Sequence, residues 1–415
     1  MKTRNILAKC FECRFLLGIA HAAIICLGLS ACGGDDSGAG STNVPPLASS
    51  PISYSSIGGA VSGLRSNTTL VLQDNNADTL AVASNGAFAF PTRLEAHANY
   101  SVTISQQPLR QTCTVTNGVG TATGDVSNVA ISCAPKFTVF EFVKLKDYAD
   151  STGSHTTQSG YIQDSWFQSF GLSPINLIYS SHVVDCPSSA PSDQCTLNQQ
   201  NVASYAASAD STGAIPVSLD LEVWDSYRFK PDSATGNGKT ILQNLTSAIQ
   251  MFKSTNPNAL VGLYGEAPQT TFGWNSNTSA NYGTIDQEYA PIAALVNYYS
   301  PVLYNYGYDG TPAGDSNWQS ALTFNVQQAQ AYDSGSSKKD IFPYITPGWT
   351  DSSGNSQLLT YDQMMFRLNA LKASGATGCI VWISSSAVDA NGKPVVVDAT
   401  NGWFKAIADF VATNQ

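Results

Sequence analysis

A chain of 415 residues with a formal net charge of −10 is too long for one small domain and too acidic to present a basic nucleic-acid-binding surface. Charged residues make up only 12% of the chain, whereas serine, threonine, asparagine and tyrosine are plentiful. This composition favours an exported protein that acts on polar, mostly uncharged ligands, and we expect no nucleic-acid partner. The negative charge also disfavours a strongly anionic polysaccharide as substrate.

The chain begins with the pattern of an export signal. Lys2 and Arg4 give a positive start, an apolar run extends from Phe15 to Leu29, and Leu29-Ser-Ala precedes Cys32. This segment resembles a bacterial lipoprotein signal, in which cleavage leaves the cysteine as a lipid-carrying amino terminus. The alternative is an uncleaved membrane anchor, although the run is short for a spanning helix of about 20 residues.

We therefore expect residues 1–31 to be removed as a lipoprotein signal peptide and Cys32 to be lipidated. The stretch 32–52 is rich in glycine, serine and proline, which predicts a flexible linker. A lipid anchor would hold the protein in the bacterial cell envelope, at the outer membrane or the cell surface.

The remaining cysteines predict two disulfides. An exported chain meets an oxidising environment, so we expect Cys113 to pair with Cys133 and Cys186 to pair with Cys195. Cys379 lies in an apolar run and is expected to be a buried, unpaired strand residue.

Residues 53–135 carry short alternating runs separated by turn signals such as Asn-Gly, which predicts a small all-β sandwich domain. The predicted strands are Leu70–Gln73, Leu80–Ala83, Ala87–Phe90, Tyr100–Ile104 and Cys113–Thr116. With its Gly-Xaa-Val-Ser-Gly-Leu opening and closing cysteine pair, this segment resembles a repeat of bacterial surface lipoproteins. That resemblance implies a spacer between the membrane and the second domain.

Residues 136–415 change to apolar strands about 40 residues apart with helical patterns between them. We predict helices over Thr240–Thr255 and Tyr361–Ser374, and an α/β fold with a distorted parallel (β/α) barrel of about seven or eight strands. The predicted strands are Phe137–Phe142, Ile175–Tyr179, Val217–Glu222, Leu260–Leu263, Pro301–Tyr304, Ile341–Ile345 and Gly378–Trp382.

Two carboxylates end the third of these strands, in Asp220-Leu-Glu222. Residues two apart on a strand point to the same side, and barrel folds place chemistry at the carboxyl ends of their strands. Neighbouring carboxyl groups repel when both are ionised, so one of the pair tends to keep a proton. A protonated acid beside a carboxylate is the arrangement that cleavage of a sugar bond requires, which predicts a glycosidase.

Six ordered motifs in residues 136–415 resemble the hyaluronidase family of glycoside hydrolases, family 56, whose barrel has seven strands. Asp220-Leu-Glu222 is similar to its Asp-Trp-Glu motif, but Leu221 stands where the family has the central tryptophan. Ile345-Thr346 stands where the family carries Thr-Arg, so a cationic contact is missing. The other motifs are Ile175-Asn-Leu-Ile-Tyr179, Val261-Gly-Leu-Tyr-Gly265, Ser300-Pro-Val-Leu-Tyr304, Phe342-Pro-Tyr-Ile-Thr-Pro347 and Ala376-Thr-Gly-Cys-Ile-Val-Trp382.

The resemblance implies hydrolysis of a β-linked N-acetylhexosamine bond, with the substrate's own acetamido group as nucleophile. Glu222 would be the general acid and base, and Asp220 would accept the acetamide N–H and stabilise the oxazolinium ion. Tyr304 would hydrogen-bond the acetamido oxygen, Tyr264 could do likewise, and Trp382 would form a wall of the sugar subsite. From their positions alone, Trp224 and Trp349 are further candidates for aromatic platforms.

Several alternatives remain open at the level of sequence. Chitinases also use Asp-Xaa-Glu, although the longer chitinase motif is absent here. A second, distant carboxylate such as Glu141 or Glu266 could replace substrate assistance. The competing class of protein is a surface lipoprotein that binds a glycan without cleaving it. We expect a polysaccharide substrate, no cofactor or metal, and a monomer.

Overall fold

The computed structural model describes residues 52–65, 68–271, 276–333 and 338–414, with residues 276–279 described as backbone only. Residues 52–415 form one compact unit. The signal peptide, Cys32 and all but the last residue of the predicted linker lie outside the described residues. Among the described residues, no helix is both long and apolar enough to span a bilayer.

Short strands fill residues 54–135, where the sequence predicts an all-β segment. These strands are β1 (Tyr54–Ser55), β2 (Ile57–Ser62), β3 (Leu70–Asp74), β4 (Asp78–Val82), β5 (Gly86–Ala89), β6 (Leu94–Glu95), β7 (Asn99–Gln106), β8 (Gln111–Thr116), β9 (Val119–Thr121) and β10 (Val126–Pro135).

Two four-stranded sheets organise this segment, in the orders β5-β2-β10-β8 and β4-β3-β7-β9. The buried faces of both sheets supply one apolar cluster, to which Ile57 and Ile131 contribute from one sheet and Leu72 and Val102 from the other. The alternating burial of β3 and β7 is what a strand with one face on a core produces. The predicted Cys113–Cys133 disulfide is present and joins β8 to β10.

Strands and helices alternate in residues 136–415. The strands are β11 (Thr138–Val143), β12 (Asp147–Ala149), β13 (His155–Thr157), β14 (Ser173–Pro174), β15 (Asn176–Tyr179), β16 (Val184–Asp185), β17 (Thr196–Leu197), β18 (Val217–Asp220), β19 (Val261–Leu263), β20 (Tyr298–Tyr299), β21 (Asp340–Ile341), β22 (Tyr344–Ile345), β23 (Gly348–Thr350), β24 (Ser356–Leu358), β25 (Gly378–Ile383) and β26 (Val396–Asp398). The helices are α1 (Asp164–Gln168), α2 (Ser180–Val183), α3 (Gln199–Ser208), α4 (Ile241–Thr255), α5 (Ser276–Glu288), α6 (Ala290–Leu295), α7 (Pro312–Ala331), α8 (Tyr361–Ser374) and α9 (Gly402–Thr413).

The main strands of this segment pair in parallel. β25 lies between β11 and β22, β11 also pairs with β14, β18 lies between β15 and β19, and β20 pairs with β21. Backbone hydrogen bonds such as that from the Asn297 N–H to the Val261 carbonyl, 2.7 Å, connect β19 to the chain around β20. This is the neighbour order of a parallel barrel, and the fold is mixed α/β.

The pairings are nevertheless divided among separate sheets, and no closed barrel sheet exists in the described part of the chain. The expected barrel is therefore only partly realised. Proline has no N–H to donate to a ladder. Pro174 ends β14, Pro301 lies two residues after β20, and Pro343 lies between β21 and β22, so the pairing lacks one N–H donor at each of these points.

Side-chain alternation divides the strand residues between two cores. Phe140, Leu177, Tyr298, Phe342 and Ile380 pack together in a cluster that we call the inner core. The other faces of the strands join the large cluster that also contains the apolar residues of the helices. The ends of the strands therefore present inner-core side chains at one edge, where the site lies.

Helix caps explain why two of the helices begin where the sequence predicts. Thr240 precedes α4 and Thr360 precedes α8, and each accepts a hydrogen bond from the N–H of the glutamine three residues later, whose side chain accepts one from the N–H of the cap. This capping box satisfies two backbone N–H groups that have no partner inside the helix. α4 and α8 coincide with the predictions to within one residue.

Contacts around Asp340, the first residue of β21, join the two segments. Arg65 forms an ion pair with Asp340, and the Arg110 guanidinium lies 3.6 Å from the same carboxylate. Arg110 also donates a 2.6 Å hydrogen bond to the Gly213 carbonyl. The Thr377 hydroxyl donates to Asp340 at 2.6 Å, so this carboxylate, of which only 11% is exposed, is held from both segments.

Candidate active site

The two carboxylates of the Asp-Xaa-Glu motif lie where β18 gives way to a turn. Asp220 is the last residue of the strand, and Glu222 is the first residue of a short 3-10 helix over Glu222–Tyr227. Asp220 is 7% exposed, whereas Glu222 is exposed to solvent. The argument that both acids project from one strand face therefore fails for Glu222, because the strand ends before it.

The electrostatics of the pair differ from the expectation that Glu222 holds the proton. Burial raises the pKa of Asp220 to about 8, and the negative charges of Glu222, Asp225 and Glu266 act in the same direction. At neutral pH the buried acid is therefore protonated in the ligand-free protein, and the exposed acid stands beside it. The inner carboxyl, Asp220, is therefore the acid on which burial holds a proton.

Two more acids and one arginine complete a charged cluster behind the pair. Burial raises the pKa of Asp225 to about 7, with a further contribution from the charge of Glu266. Burial also raises the pKa of Glu266, whose carboxylate accepts a 2.8 Å hydrogen bond from the Gln269 amide. Burial disfavours a charged Arg228, but Glu266 and Asp225 outweigh it and raise the pKa of Arg228. Arg228 is therefore a cation whose charge is balanced by Glu266 and Asp225.

Aromatic side chains from four neighbouring stretches converge on the same edge. The Trp382 ring stacks on the Tyr304 ring with centroids 5.6 Å apart and planes 20° apart, and the Tyr264 centroid lies 6.2 Å from that of Tyr304. The Trp382 indole N–H donates a 3.1 Å hydrogen bond to the Tyr179 hydroxyl. Tyr179, Tyr264, Tyr304 and Trp382, which we call the aromatic cluster, are all partly buried against the inner core.

The phenols of this cluster are neutral donors. Burial raises the pKa of Tyr264 and of Tyr304 well above the ordinary tyrosine value, and it also raises that of Tyr179. The negative charges of Glu222 and Asp220 act in the same direction on Tyr264. A phenol that keeps its proton can donate to a carbonyl oxygen or a sugar hydroxyl at any physiological pH.

The predicted site residues are thus brought together in part. Asp220, Glu222, Tyr264, Tyr304 and Trp382 lie at one edge of the parallel strands.

The two tryptophans proposed as platforms from position alone differ in their surroundings. Trp224 is fully buried and its indole N–H donates to the Cys195 carbonyl at 3.3 Å, so the platform role predicted for it is wrong. Its neighbour Cys195 forms the second predicted disulfide, with Cys186. Trp349 lies on β23 and packs edge-to-face on Tyr308 with centroids 5.1 Å apart.

The two alternative carboxylates differ in position. Glu141 is buried on β11 and flanked by Phe140 and Phe142, which face the inner core, so strand alternation directs it to the opposite side. Burial raises the pKa of Glu141 to about 8, and one of its carboxylate oxygens has no hydrogen-bond partner. Glu266 belongs to the charged cluster but is 3% exposed.

A cavity of about 110 Å³ borders the aromatic cluster at Tyr304. The loop after β20 and the start of α7 line it, with Tyr304 and Tyr306 on the side of the aromatic cluster and Asn317 and Trp318 on the helix side. Asp220 and Glu222 do not line this cavity. We therefore define the candidate site by its carboxylates and aromatic side chains and not by the cavity. Among the described residues no group of three or more His, Cys, Asp and Glu side chains is arranged to hold a metal ion.

Sequence reasoning missed Tyr179, Asp225 and Arg228 as members of the site. Tyr179 could have been found, because it ends a predicted strand and pairs in register with Asp220. The positions of Asp225 and Arg228 depend on the 3-10 helix that follows β18, which no sequence pattern predicts.

Comparisons with known proteins assign no family to this chain. No family model matches it, and no curated protein matches it. Among solved structures, bee venom hyaluronidase is similar over 60% of this chain and 92% of its own, with 16% identity and a TM-score of 0.40. The same enzyme in complex with a hyaluronic acid tetramer gives a TM-score of 0.29 at 14% identity, over 60% of this chain and 79% of that one.

A thermostable mutant of a xylanase from Cellvibrio japonicus is also similar, over 60% of this chain and 81% of its own, with 13% identity and a TM-score of 0.34. Because all three TM-scores are below 0.5, these likenesses carry no weight in the assignment of a function. The function is argued instead from the residues at the strand ends. These are buried Asp220, exposed Glu222 and the neutral tyrosines of the aromatic cluster.

Proposed function

We propose that this chain is a glycoside hydrolase that cleaves a β-linked N-acetylhexosamine bond, built on a distorted parallel (β/α) barrel. The observation that carries the proposal is the placement of two carboxyl groups at the end of β18, with Asp220 buried and Glu222, two residues later, in contact with solvent. Paired carboxyls in unequal environments are the acid and base arrangement of glycosidases. The aromatic cluster beside them offers stacking surfaces and neutral donors for a sugar.

The first step requires the proton to change places. An acetamide N–H that donates to Asp220 favours the anionic form of this acid, so the proton held there by burial moves to Glu222. The acetamido carbonyl oxygen then attacks the anomeric carbon, the bond to the leaving oxygen breaks, and Glu222 protonates that oxygen. The negative charge of Asp220 stabilises the oxazolinium ion that forms.

The second step restores the enzyme. Glu222, now a carboxylate, takes a proton from water while the water oxygen attacks the anomeric carbon and the oxazolinium ring opens. Exposure of Glu222 suits both steps, since the leaving group departs and water arrives from the solvent side. The configuration at the anomeric carbon is retained because it is inverted twice.

The phenols have roles that follow from their neutrality. Tyr304 and Tyr264 can donate to the acetamido oxygen and hold it in line with the anomeric carbon. Trp382 presents a ring face backed by Tyr304, and sugar C–H groups pack well against such a face. Tyr179 fixes the orientation of the indole through its hydroxyl.

The test compares release of reducing ends from N-acetylated polysaccharides by the full-length protein and by Glu222→Gln. We expect the variant to lose about 1,000-fold or more in kcat, because it cannot protonate the leaving oxygen. Glu95→Gln, an exposed glutamate on β6, is the matched control and should keep full activity. Equal activity of wild type and Glu222→Gln would refute the assignment, and tight binding of intact glycan by both would identify a non-catalytic binder.

We further propose that lipidated Cys32 holds this enzyme at the bacterial cell envelope. The support is the Leu-Ser-Ala-Cys sequence after an apolar run. Mass spectrometry of the mature amino terminus should find a lipid-modified cysteine, and Cys32→Ser should move the protein out of the membrane fraction. An unmodified amino terminus that begins at Met1 would refute this anchor.

A further inference from the structure

The loop after β20 carries one more aromatic ring next to the aromatic cluster. The centroid of the Tyr306 ring lies 5.9 Å from that of Tyr304, and Tyr304 in turn stacks on Trp382. Tyr306 is 37% exposed, whereas Tyr304 and Trp382 are half-buried. The row of rings that begins at Trp382 therefore continues through Tyr304 to a ring that solvent reaches.

Buried neighbours hold Tyr306 in place. The side-chain amide of Asn305 donates hydrogen bonds of 2.8 and 2.9 Å to two backbone carbonyls just past β22, and its oxygen accepts one from the Arg367 guanidinium at 3.1 Å. On the other side of Tyr306, the ring of buried Tyr308 packs against the same guanidinium, which lies 4.4 Å from its centroid. The exposed ring therefore stands on a loop that is fixed before and after it.

A fixed, exposed ring at this place is suited to bind a sugar. A single exposed aromatic side chain is ordinary on a protein surface, but Tyr306 adjoins the rings that would hold the sugar whose bond is cleaved. Sugar C–H surfaces pack well on aromatic faces. Because the loop is already ordered, little conformational freedom is lost when a ligand settles on the ring.

The cavity of about 110 Å³ places a polar recess beside this ring. Tyr306 lines it on one side and Asn317, in the second turn of α7, lines it on the other. Both residues are exposed, so the recess opens to solvent between them. Pockets that enclose a whole small molecule measure about 300–1,000 Å³, so this recess takes a substituent such as an acetamido or hydroxymethyl group. The amide of Asn317 can donate to such a group and accept from it.

We propose that Tyr306 and Asn317 form a second sugar subsite, which binds the polymer at the residue next to the one held by Trp382 and Tyr304. This inference rests on the proposed function and extends the binding site from the aromatic cluster toward α7. The subsite acts on the affinity for oligosaccharides and takes no part in proton transfer. Its contribution is therefore present for an oligomer that spans both subsites and absent for a monosaccharide.

The experiment measures dissociation constants of the full-length protein in the Glu222→Gln background, so that the probes stay intact. The probes are a β-1,4-linked N-acetylglucosamine hexamer, a hyaluronan hexasaccharide and the monosaccharide N-acetylglucosamine. Calorimetric titration serves for the hexasaccharides, and NMR titration serves for the monosaccharide. Adding Tyr306→Ala should raise the Kd of the hexasaccharide that binds more tightly by about tenfold, and should leave the Kd of the monosaccharide within about twofold. A general loss of structure would weaken both.

Three further variants assign the effect to the ring and to the recess. Tyr306→Phe keeps the ring and should keep the hexasaccharide affinity within about threefold. Asn317→Ala should weaken it by about fivefold, because a hydrogen-bonding amide is lost from the recess. Tyr54→Ala is the matched control, since Tyr54 is a 51% exposed tyrosine on β1, and it should change nothing.

The outcomes separate this inference from the proposed function. Full affinity of Tyr306→Ala for a hexasaccharide that the wild type cleaves would overturn the subsite and leave the hydrolase assignment intact. Equal losses in Tyr306→Phe and Tyr306→Ala would overturn the ring as a platform, and full affinity of Asn317→Ala would remove the recess from the subsite. Binding that depends on Tyr306 without cleavage by the wild type would overturn the hydrolysis and leave the subsite. Failure of both hexasaccharides to bind would overturn both.

Discussion

Replacement of Asp220 by asparagine should stabilise the folded protein at neutral pH while abolishing its activity. The pKa of this carboxyl is about 8 in the folded protein against 3.8 in the unfolded chain, owing first to burial. Between these values the folded state binds more protons than the unfolded state, so the free energy of unfolding decreases as the pH rises from about 4 to about 8. An asparagine at this position would have no proton to lose, which removes this dependence.

The magnitude follows from the same values. Between its pKa and pH 7, a span of about three pH units, the carboxyl ionises in the unfolded chain but not in the folded protein. This difference lowers the free energy of unfolding by about 4 kcal/mol. The amide that replaces the acid must itself be desolvated, so we expect a net gain of about 2 kcal/mol. For a protein of this length that gain raises Tm by roughly 3 °C.

Thermal unfolding of wild type and Asp220→Asn at pH 4, 7 and 8 measures this effect. The Tm of the variant should lie slightly below that of wild type at pH 4, where only the cost of desolvating the amide remains, and the difference in its favour should be largest at pH 8. Asp232→Asn, at an exposed aspartate, is the matched control and should show no such trend. A loss of stability in Asp220→Asn at pH 8 would mean that this acid is anionic and stabilised in the fold, and the reasoning that burial holds a proton on Asp220 would be refuted.

Four further outcomes are expected. kcat/KM should fall about tenfold per pH unit above pH 8, where Asp220 loses the proton that burial holds on it, and a flat alkaline profile would contradict this. Glu141→Gln should raise Tm at pH 8 by roughly 3 °C without loss of activity, because burial raises the pKa of that outward-facing acid to about 8. Trp382→Phe keeps a ring but loses the hydrogen bond to Tyr179, so kcat/KM should fall about tenfold; unchanged kinetics would remove the indole from the site. Arg367→Ala should destabilise the fold by about 3 kcal/mol in chemical denaturation, because it leaves buried partners unpaired.

The parts of the fold that the sequence predicts well are those encoded by neighbouring residues. α4 and α8 follow from a threonine cap and a glutamine three residues later, and both are visible in the sequence. β25 follows from a continuous apolar run, since a strand buried on both faces needs no alternation.

The parts that the sequence does not predict depend on how the chain turns after a strand. Alternation correctly assigns Asp220 to the inner face, but the 3-10 turn that starts at Glu222 moves that side chain into solvent and Trp224 into the core. The raised pKa of Asp220 depends on the burial of this side chain, which the Asp-Xaa-Glu motif does not encode. The prolines at 174, 301 and 343 are visible in the sequence. Strand spacing alone nevertheless predicts a continuous barrel, because spacing takes no account of the backbone N–H groups that proline lacks.

The ion pairs of Asp340 have a practical consequence for anyone who isolates residues 136–415. The two guanidinium groups that neutralise this carboxylate belong to Arg65 and Arg110. A truncated protein that begins at residue 136 would lack both and would leave the Asp340 carboxylate without these cations. Arg110 would also no longer cap the Gly213 carbonyl. Residues 54–135 are therefore held to residues 136–415 by these contacts, and low yield or inactivity of a shortened version would say nothing about the chemistry of Glu222.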